Sequence, residues 1–185
     1  EQVRLRAAYS TGFHAPTSGQ ASITNVTTQI SGGVLVDQGT LPLFSAAGQL
    51  AADFVESAGN GRPELGTEDA TNYSFGIAFD LGNSSWTIDY YNIEVEERVA
   101  LGANIDFLAA LASTGGIAAD DDGNYGAGYG SVSEALTTLD AAGTIDRQQF
   151  VGLDDLKQFR FFSNSFDTTT SGVDVVGNID FSLGD

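Results

Sequence analysis

An all-β chain is predicted, and more narrowly an antiparallel segment of a transmembrane β-barrel, on three observations. The first is a strict alternation from Tyr73 to Leu81: Tyr73, Phe75, Ile77, Phe79 and Leu81 fall on one face, and Ser74, Gly76, Ala78 and Asp80 on the other. An apolar face set against one of small or polar residues suits a strand between lipid and a lumen. The second is composition. The chain has 23 Gly and 3 Pro in 185 residues and no run of about 18 apolar residues, so any membrane span must be a strand. The third is spacing, with polar, Gly-rich intervals at about 17–61 and 100–158 but only a short connection at 82–85.

Taken in order, Val3, Leu5, Ala7 and Tyr9 alternate with Arg4, Arg6, Ala8 and Ser10, which makes a first strand, and Gly12-Phe-His-Ala-Pro16 is expected to end it. The interval 17–61 reads as a long loop with one helix. Ser45 is placed to cap that helix, Leu50, Phe54 and Val55 form its apolar stripe, and Gly59 ends it. A hairpin follows over Asn72–Val95. Its turn is supplied by Gly82, Asn83, Ser84 and Ser85, and its return strand opens with the β-prone run from Trp86 to Tyr91. In the interval 100–158, Asn104 is expected to cap a helix over Ile105, Phe107, Leu108 and Leu111 that stops at Gly115-Gly116. Ser131-Val-Ser-Glu134 is a capping box for another helix, which Gly143 closes. The last strand sets Val173, Val175, Ile179, Phe181 and Leu183 against Asp174, Val176, Asn178, Asp180 and Ser182, after a polar stretch from Asn164 to Gly172.

These segments amount to about four spans. Short periplasmic turns and long external loops are the rule for such barrels, so 82–85 is expected on the periplasmic side and the two long intervals outside. Four strands cannot close a barrel of eight or more, and Glu1-Gln-Val-Arg-Leu-Arg lacks the apolar core of a signal peptide. The chain is therefore expected to be a segment of a longer protein.

Charge narrows the function. With 25 acidic and 7 basic residues the net charge is −18, and no basic stripe is present to hold nucleic acid. The stretch from Leu101 to Gln158 carries nine acidic and two basic residues, a balance of −7. Zero Cys excludes a disulfide framework and thiolate metal sites. No catalytic constellation, metal site or cofactor is indicated: the single His14 lies in a turn signature, and Asp120-Asp-Asp-Gly-Asn124 lacks the ligand spacing and closing Glu of a calcium loop. Tyr125 and Tyr129, in the run Asn-Tyr-Gly-Ala-Gly-Tyr-Gly, are the candidate ligand contacts, as rings able to stack on a substrate. The competing reading has them cover loop backbone. Arg4 and Arg6, on the polar face, are expected to pair with acids of neighbouring strands or of a plug.

Three motifs point to a family. Leu5-Arg-Ala-Ala-Tyr-Ser-Thr-Gly-Phe-His-Ala-Pro-Thr17, then Arg62-Pro-Glu-Leu-Gly running through Asn72-Tyr-Ser-Phe-Gly to Ile88-Asp-Tyr-Tyr-Asn-Ile-Glu-Val95, then Phe161-Phe-Ser-Asn-Ser-Phe-Asp-Thr-Thr-Thr-Ser-Gly-Val-Asp174 stand in one order. In that order they resemble the late barrel strands of TonB-dependent outer-membrane receptors. The resemblance implies part of a 22-stranded barrel filled by a plug, in the Gram-negative outer membrane. It implies uptake of a scarce small-molecule nutrient, of the siderophore, haem, cobalamin or glycan class, powered by the TonB complex through an N-terminal part that has no counterpart in these residues. The alternative is a soluble secreted β-sandwich, an adhesin or a carbohydrate-binding module. The face with Phe75 discriminates, since a sandwich packs it on a second sheet and a barrel leaves it to lipid.

Overall fold

The computed structural model describes residues 3–31, 33–122 and 128–181. The chain runs β1 (Val3–His14), α1 (Ser18–Ser22), β2 (Asn25–Ser31), β3 (Val34–Thr40), α2 (Ala46–Ser57), β4 (Glu68–Leu81) and β5 (Ser84–Leu101). It continues with β6 (Ile105–Asp106), α3 (Phe107–Thr114), α4 (Val132–Ala141), a 3-10 turn (Arg147–Phe150), β7 (Leu156–Arg160) and β8 (Phe162–Ile179). These elements form two compact units. The first holds Glu1–Ala15, Thr67–Arg98 and Phe166–Asp185, and the second holds Pro16–Gly66 and Val99–Ser165.

The first unit is the sheet β1-β4-β5-β8. Strands β1 and β4 are antiparallel from Val3↔Phe79 to His14↔Glu68, and β4 and β5 from Leu81↔Ser84 to Asp69↔Glu96. Strand β8 runs antiparallel to β5, because contacts with it step backwards along the chain. The Asp180 N–H donates to the Asn83 carbonyl at 2.9 Å, Gly177 lies against the Trp86 ring and Gly172 against Tyr91. The turn between β4 and β5 is narrower than 82–85. It is the pair Gly82-Asn83, with φ +60° at Gly82 alone, the pattern of a type II′ hairpin whose twist suits the flanking strands. Strand β1 outlasts its expected stop at Gly12, since its pairing with β4 continues through His14.

The second unit is more than a pair of loops. The two long intervals hold the expected helices, but they also pair with each other to build a sheet, β2-β3-β7-β6. Strands β2 and β3 form a hairpin, β3 and β7 are parallel over Gln38↔Gln158 to Thr40↔Arg160, and β6 is antiparallel to β7. Helices α2, α3 and α4 join this sheet around one core that includes Leu41, Leu50, Phe107, Leu111, Leu136 and Phe159. Phe107 meets Phe159 edge to face, with ring centroids 5.2 Å apart, a favoured aromatic geometry.

Capping explains where the helices start and stop. Ser45 accepts the Gly48 N–H at 3.1 Å, and Ser131 accepts that of Glu134 at 3.2 Å. The Glu134 carboxylate, however, takes the N–H of Gly130 at 2.9 Å, one residue before the expected partner. For α3 the cap is Asp106, whose carboxylate accepts the Ala109 N–H at 2.8 Å, and not Asn104. Residues 105–106 are drawn into pairing with β7, so the helix starts only after them. Helices α2, α3 and α4 end in the same way: the N–H groups of Gly59-Asn60, Gly116-Ile117 and Gly143-Thr144 reach back to the last turn, with positive φ at each glycine, which is the Schellman motif.

Candidate functional site

Two features of the structure bear on function, one in each unit. In the first, register gathers the apolar side chains onto one face of the sheet. Leu5 stands opposite Ile77 and Val3 opposite Phe79, while Ile77 is opposite Ile88 and Phe79 opposite Trp86. These side chains are not packed away. Leu5 is 77 % exposed and Phe75 67 %, and Val173 and Val175, which share this face by alternation from Gly177, are exposed as well. A sandwich would bury this surface, so the alternative reading is not supported. From Tyr73 to Leu81 the apolar row is about 27 Å long at ~3.4 Å per residue, or about 21 Å high for strands tilted by ~40°, close to the ~25 Å apolar band of outer-membrane barrels. Aromatics mark its ends. Tyr73 and Tyr90 lie 6.3 Å apart at one, and Trp86 lies at the other, its indole N–H donating to the Ser84 hydroxyl at 2.9 Å. Beyond Tyr73 the same face turns polar, with Thr71 opposite Glu94.

The opposite face is built for charge. Arg6 pairs with Gly76 and Gly76 with Asp89, so the Arg6–Asp89 ion pair crosses the whole width of β4. Arg6 Nε donates to Asp89 Oδ1 at 2.7 Å and Nη2 donates to Oδ2, the two-pronged geometry that fits guanidinium to carboxylate. Gly76 leaves the room for it: a Cβ there would run into Asp89 and come within 2.6 Å of Arg6 Nε. The alternation of β4 shows a small residue at 76, but the reason for a glycine is visible only with all three strands in place.

In the second unit an open cleft of about 720 Å³ lies between α2, the C-terminal end of α3 and the segment from Gly143 to Phe150. Leu50, Ile145 and Phe150 supply its apolar lining, and Gln49, Asp53, Thr114, Thr144, Asp146 and Gln149 its polar groups. Phe44 stands at the rim, 65 % exposed. One wall is braced by Arg62, which donates to Gln49 Oε1 at 2.8 Å, to Glu56 at 2.9 Å and to Asp53 Oδ1. Its hydrogen bonds to Asp53 first, and then to Glu56, hold the Arg62 proton more firmly than in a free arginine, so it remains a fixed cation. Asp146 accepts the Gln148 N–H at 3.0 Å and caps the 3-10 turn. Arg147, one of the two basic residues between Leu101 and Gln158, is committed to Asp154 at 2.6 Å.

The residues singled out in the sequence fall elsewhere. Tyr125 lies outside the described residues. Tyr129 is half-buried against the core of the second unit, its hydroxyl close to Gly115, and it does not line the cleft. His14 ends β1, with Nδ1 3.4 Å from Glu68 Oε2. Asp120 accepts the Asp122 N–H at 3.0 Å in a local turn, and among the described residues no group of three or more His, Cys, Asp or Glu is placed to hold a metal. Phe44 escaped notice because an aromatic directly before a helix cap reads as core; only its exposure sets it apart. No helix among the described residues is long and apolar enough to cross a membrane.

The family model described as TonB dependent receptor-like, beta-barrel, matches residues 1–184. Neither a curated protein nor a solved structure matches the chain.

Proposed function

Because the chain belongs to the TonB-dependent receptor-like β-barrel family, a Gram-negative outer-membrane family of transporters, we propose that its four-stranded sheet is a run of adjacent strands in the wall of such a receptor, which imports a scarce nutrient. The observation that carries this reading is the exposed apolar face, whose height suits an outer-membrane barrel. Its apolar side meets lipid, and the side with Arg6 and Asp89 faces a lumen that a plug would fill. The turn at Gly82-Asn83 is then periplasmic, and the second unit, built from the intervals 17–61 and 100–158, stands on the external side. In the interval 100–158, Tyr125 and Tyr129 are a further pair of aromatic contacts that we propose for a ligand, with Tyr129 apart from the cleft. Energy would reach the barrel from the TonB complex, through parts of the receptor other than these residues.

The test uses the absence of Cys from these residues. In a full-length receptor otherwise free of thiols, Val151→Cys, at a position 79 % exposed, should react with a membrane-impermeant maleimide on intact cells. Asn83→Cys should react only after the outer membrane is permeabilised. Labelling of Asn83→Cys on intact cells with Val151→Cys protected would reverse the orientation, and equal labelling of both before permeabilisation would remove the membrane span.

A further inference from the structure

We propose that the cleft of the second unit binds a small molecule that presents O–H or N–H donors, has one flat apolar face and carries no net negative charge. This rests on the reading that the second unit stands outside the membrane, and it adds the place and chemistry of ligand capture. The volume, about 720 Å³, lies within the range of ~300–1,000 Å³ usual for small-molecule sites. The lining sets the chemistry. Two carboxylates, Asp53 and Asp146, and no Lys, Arg or His line the cleft among the described residues, so an anionic ligand would meet acids and no lining cation. Arg62, which is not a lining residue, offsets Asp53 and Glu56 through its ion pairs, so Asp146 is the lining carboxylate without a basic partner among the described residues.

The division of labour within the lining supports a ligand rich in donors. Gln49 is used at both ends, accepting from Arg62 and donating to the Leu43 carbonyl at 3.0 Å, so it shapes the wall. Asp53 gives Arg62 one carboxylate oxygen and Asp146 gives Gln148 one, which leaves each a second oxygen as an acceptor. Thr144 and Gln149 add a hydroxyl and a carboxamide. Phe44, held at the rim and not packed into the core, offers a ring on which an apolar face can lie. A sugar ring and a flat organic amine share these properties, and one set of probes separates them.

The experiment is calorimetric titration of the full-length receptor in detergent with three trisaccharides that differ in charge: neutral maltotriose, cationic tri-glucosamine and anionic tri-galacturonate. The neutral or the cationic probe should bind, and the anionic one should bind at least ~10-fold more weakly. Phe44→Ala and Gln149→Ala, both at exposed positions, should each weaken binding by about 10-fold, the order expected for losing one such contact. Asp146→Asn keeps a capping oxygen and should narrow the preference against the anionic probe. Stronger binding of the maltotriose than of the tri-glucosamine would point to a neutral polyol as the ligand, and the reverse to an amine. Failure of all three probes to bind, preference for the anionic probe, or unchanged affinity in both Phe44→Ala and Gln149→Ala would overturn the proposal. These results leave the receptor reading intact as long as Val151→Cys labels on intact cells and Asn83→Cys does not, and equal labelling of both on intact cells identifies failure of the receptor reading itself.

Discussion

Phe75 in the four-stranded sheet and Phe159 in the second unit are both strand residues. The first is 67 % exposed and the second is fully buried. The difference recurs throughout. Leu5, Tyr9, Phe75 and Val175 of the first unit remain open, while Phe107, Leu111, Leu136 and Phe159 of the second are enclosed. The second unit follows the ordinary rule for a protein in water, burying apolar surface at roughly 25 cal/mol per Å². Among the described residues the first has no such core, and its Arg6–Asp89 pair lies on the face away from the apolar one. A sheet of this kind is stabilised by its strand hydrogen bonds and by a lipid that accepts its apolar side. One chain thus carries parts built for two solvents, and substitutions should separate them.

The largest effect is expected where packing is tightest. Phe159→Ala should cost about 3–5 kcal/mol, as large core truncations do, and should expose the second unit to protease in the full-length receptor while the barrel strands stay assembled. Cleavage no faster than in the parent would mean that the second unit does not depend on this core.

Ile77→Arg should cost about 2–4 kcal/mol if the side chain lies near the middle of the bilayer. Ala78→Arg, on the opposite face beside Arg4, should escape that penalty and act through crowding and repulsion from Arg4, a smaller cost. Denaturant titrations of the receptor refolded in lipid vesicles measure both. Equal losses at the two positions would contradict the assigned facing.

At Gly76 a methyl group collides with the ion pair, so Gly76→Ala should destabilise by about 1–3 kcal/mol, the range for overpacking. The cost should shrink in an Arg6→Ala background, where part of the space is free. A double-mutant cycle that shows simple additivity would argue against steric coupling at this crossing.

The smallest effect concerns the start of α3. Asp106→Ala should cost about 1 kcal/mol, the usual value of a lost N-cap, and Asn104→Ala should stay within about ±0.5 kcal/mol, as for surface positions generally. Local hydrogen exchange at Phe107–Ala109 reports on both, and the opposite ranking would restore Asn104 as the cap.

What the sequence determined by itself is what depends on neighbours along the chain. The alternation of β4 is visible in consecutive residues, as are the glycine-bearing turn and the Ser45 and Ser131 caps with the glycines that end their helices, because each rests on contacts a few residues apart. The four strands of the first sheet were legible for the same reason. Tertiary structure decided the rest. Gln38 pairs with Gln158 across 120 positions, and a parallel pairing at that distance leaves no periodic trace, so intervals that read as loops prove to be one folded unit. Pairing of residues 105–106 with β7 moved the α3 cap to Asp106, overriding a local signal at Asn104. The cleft lay further still from view. Its walls come from residues 44–53, 114 and 143–150, and whether Phe44 faces a core or a ligand depends on what the rest of the chain leaves uncovered, which no local pattern records.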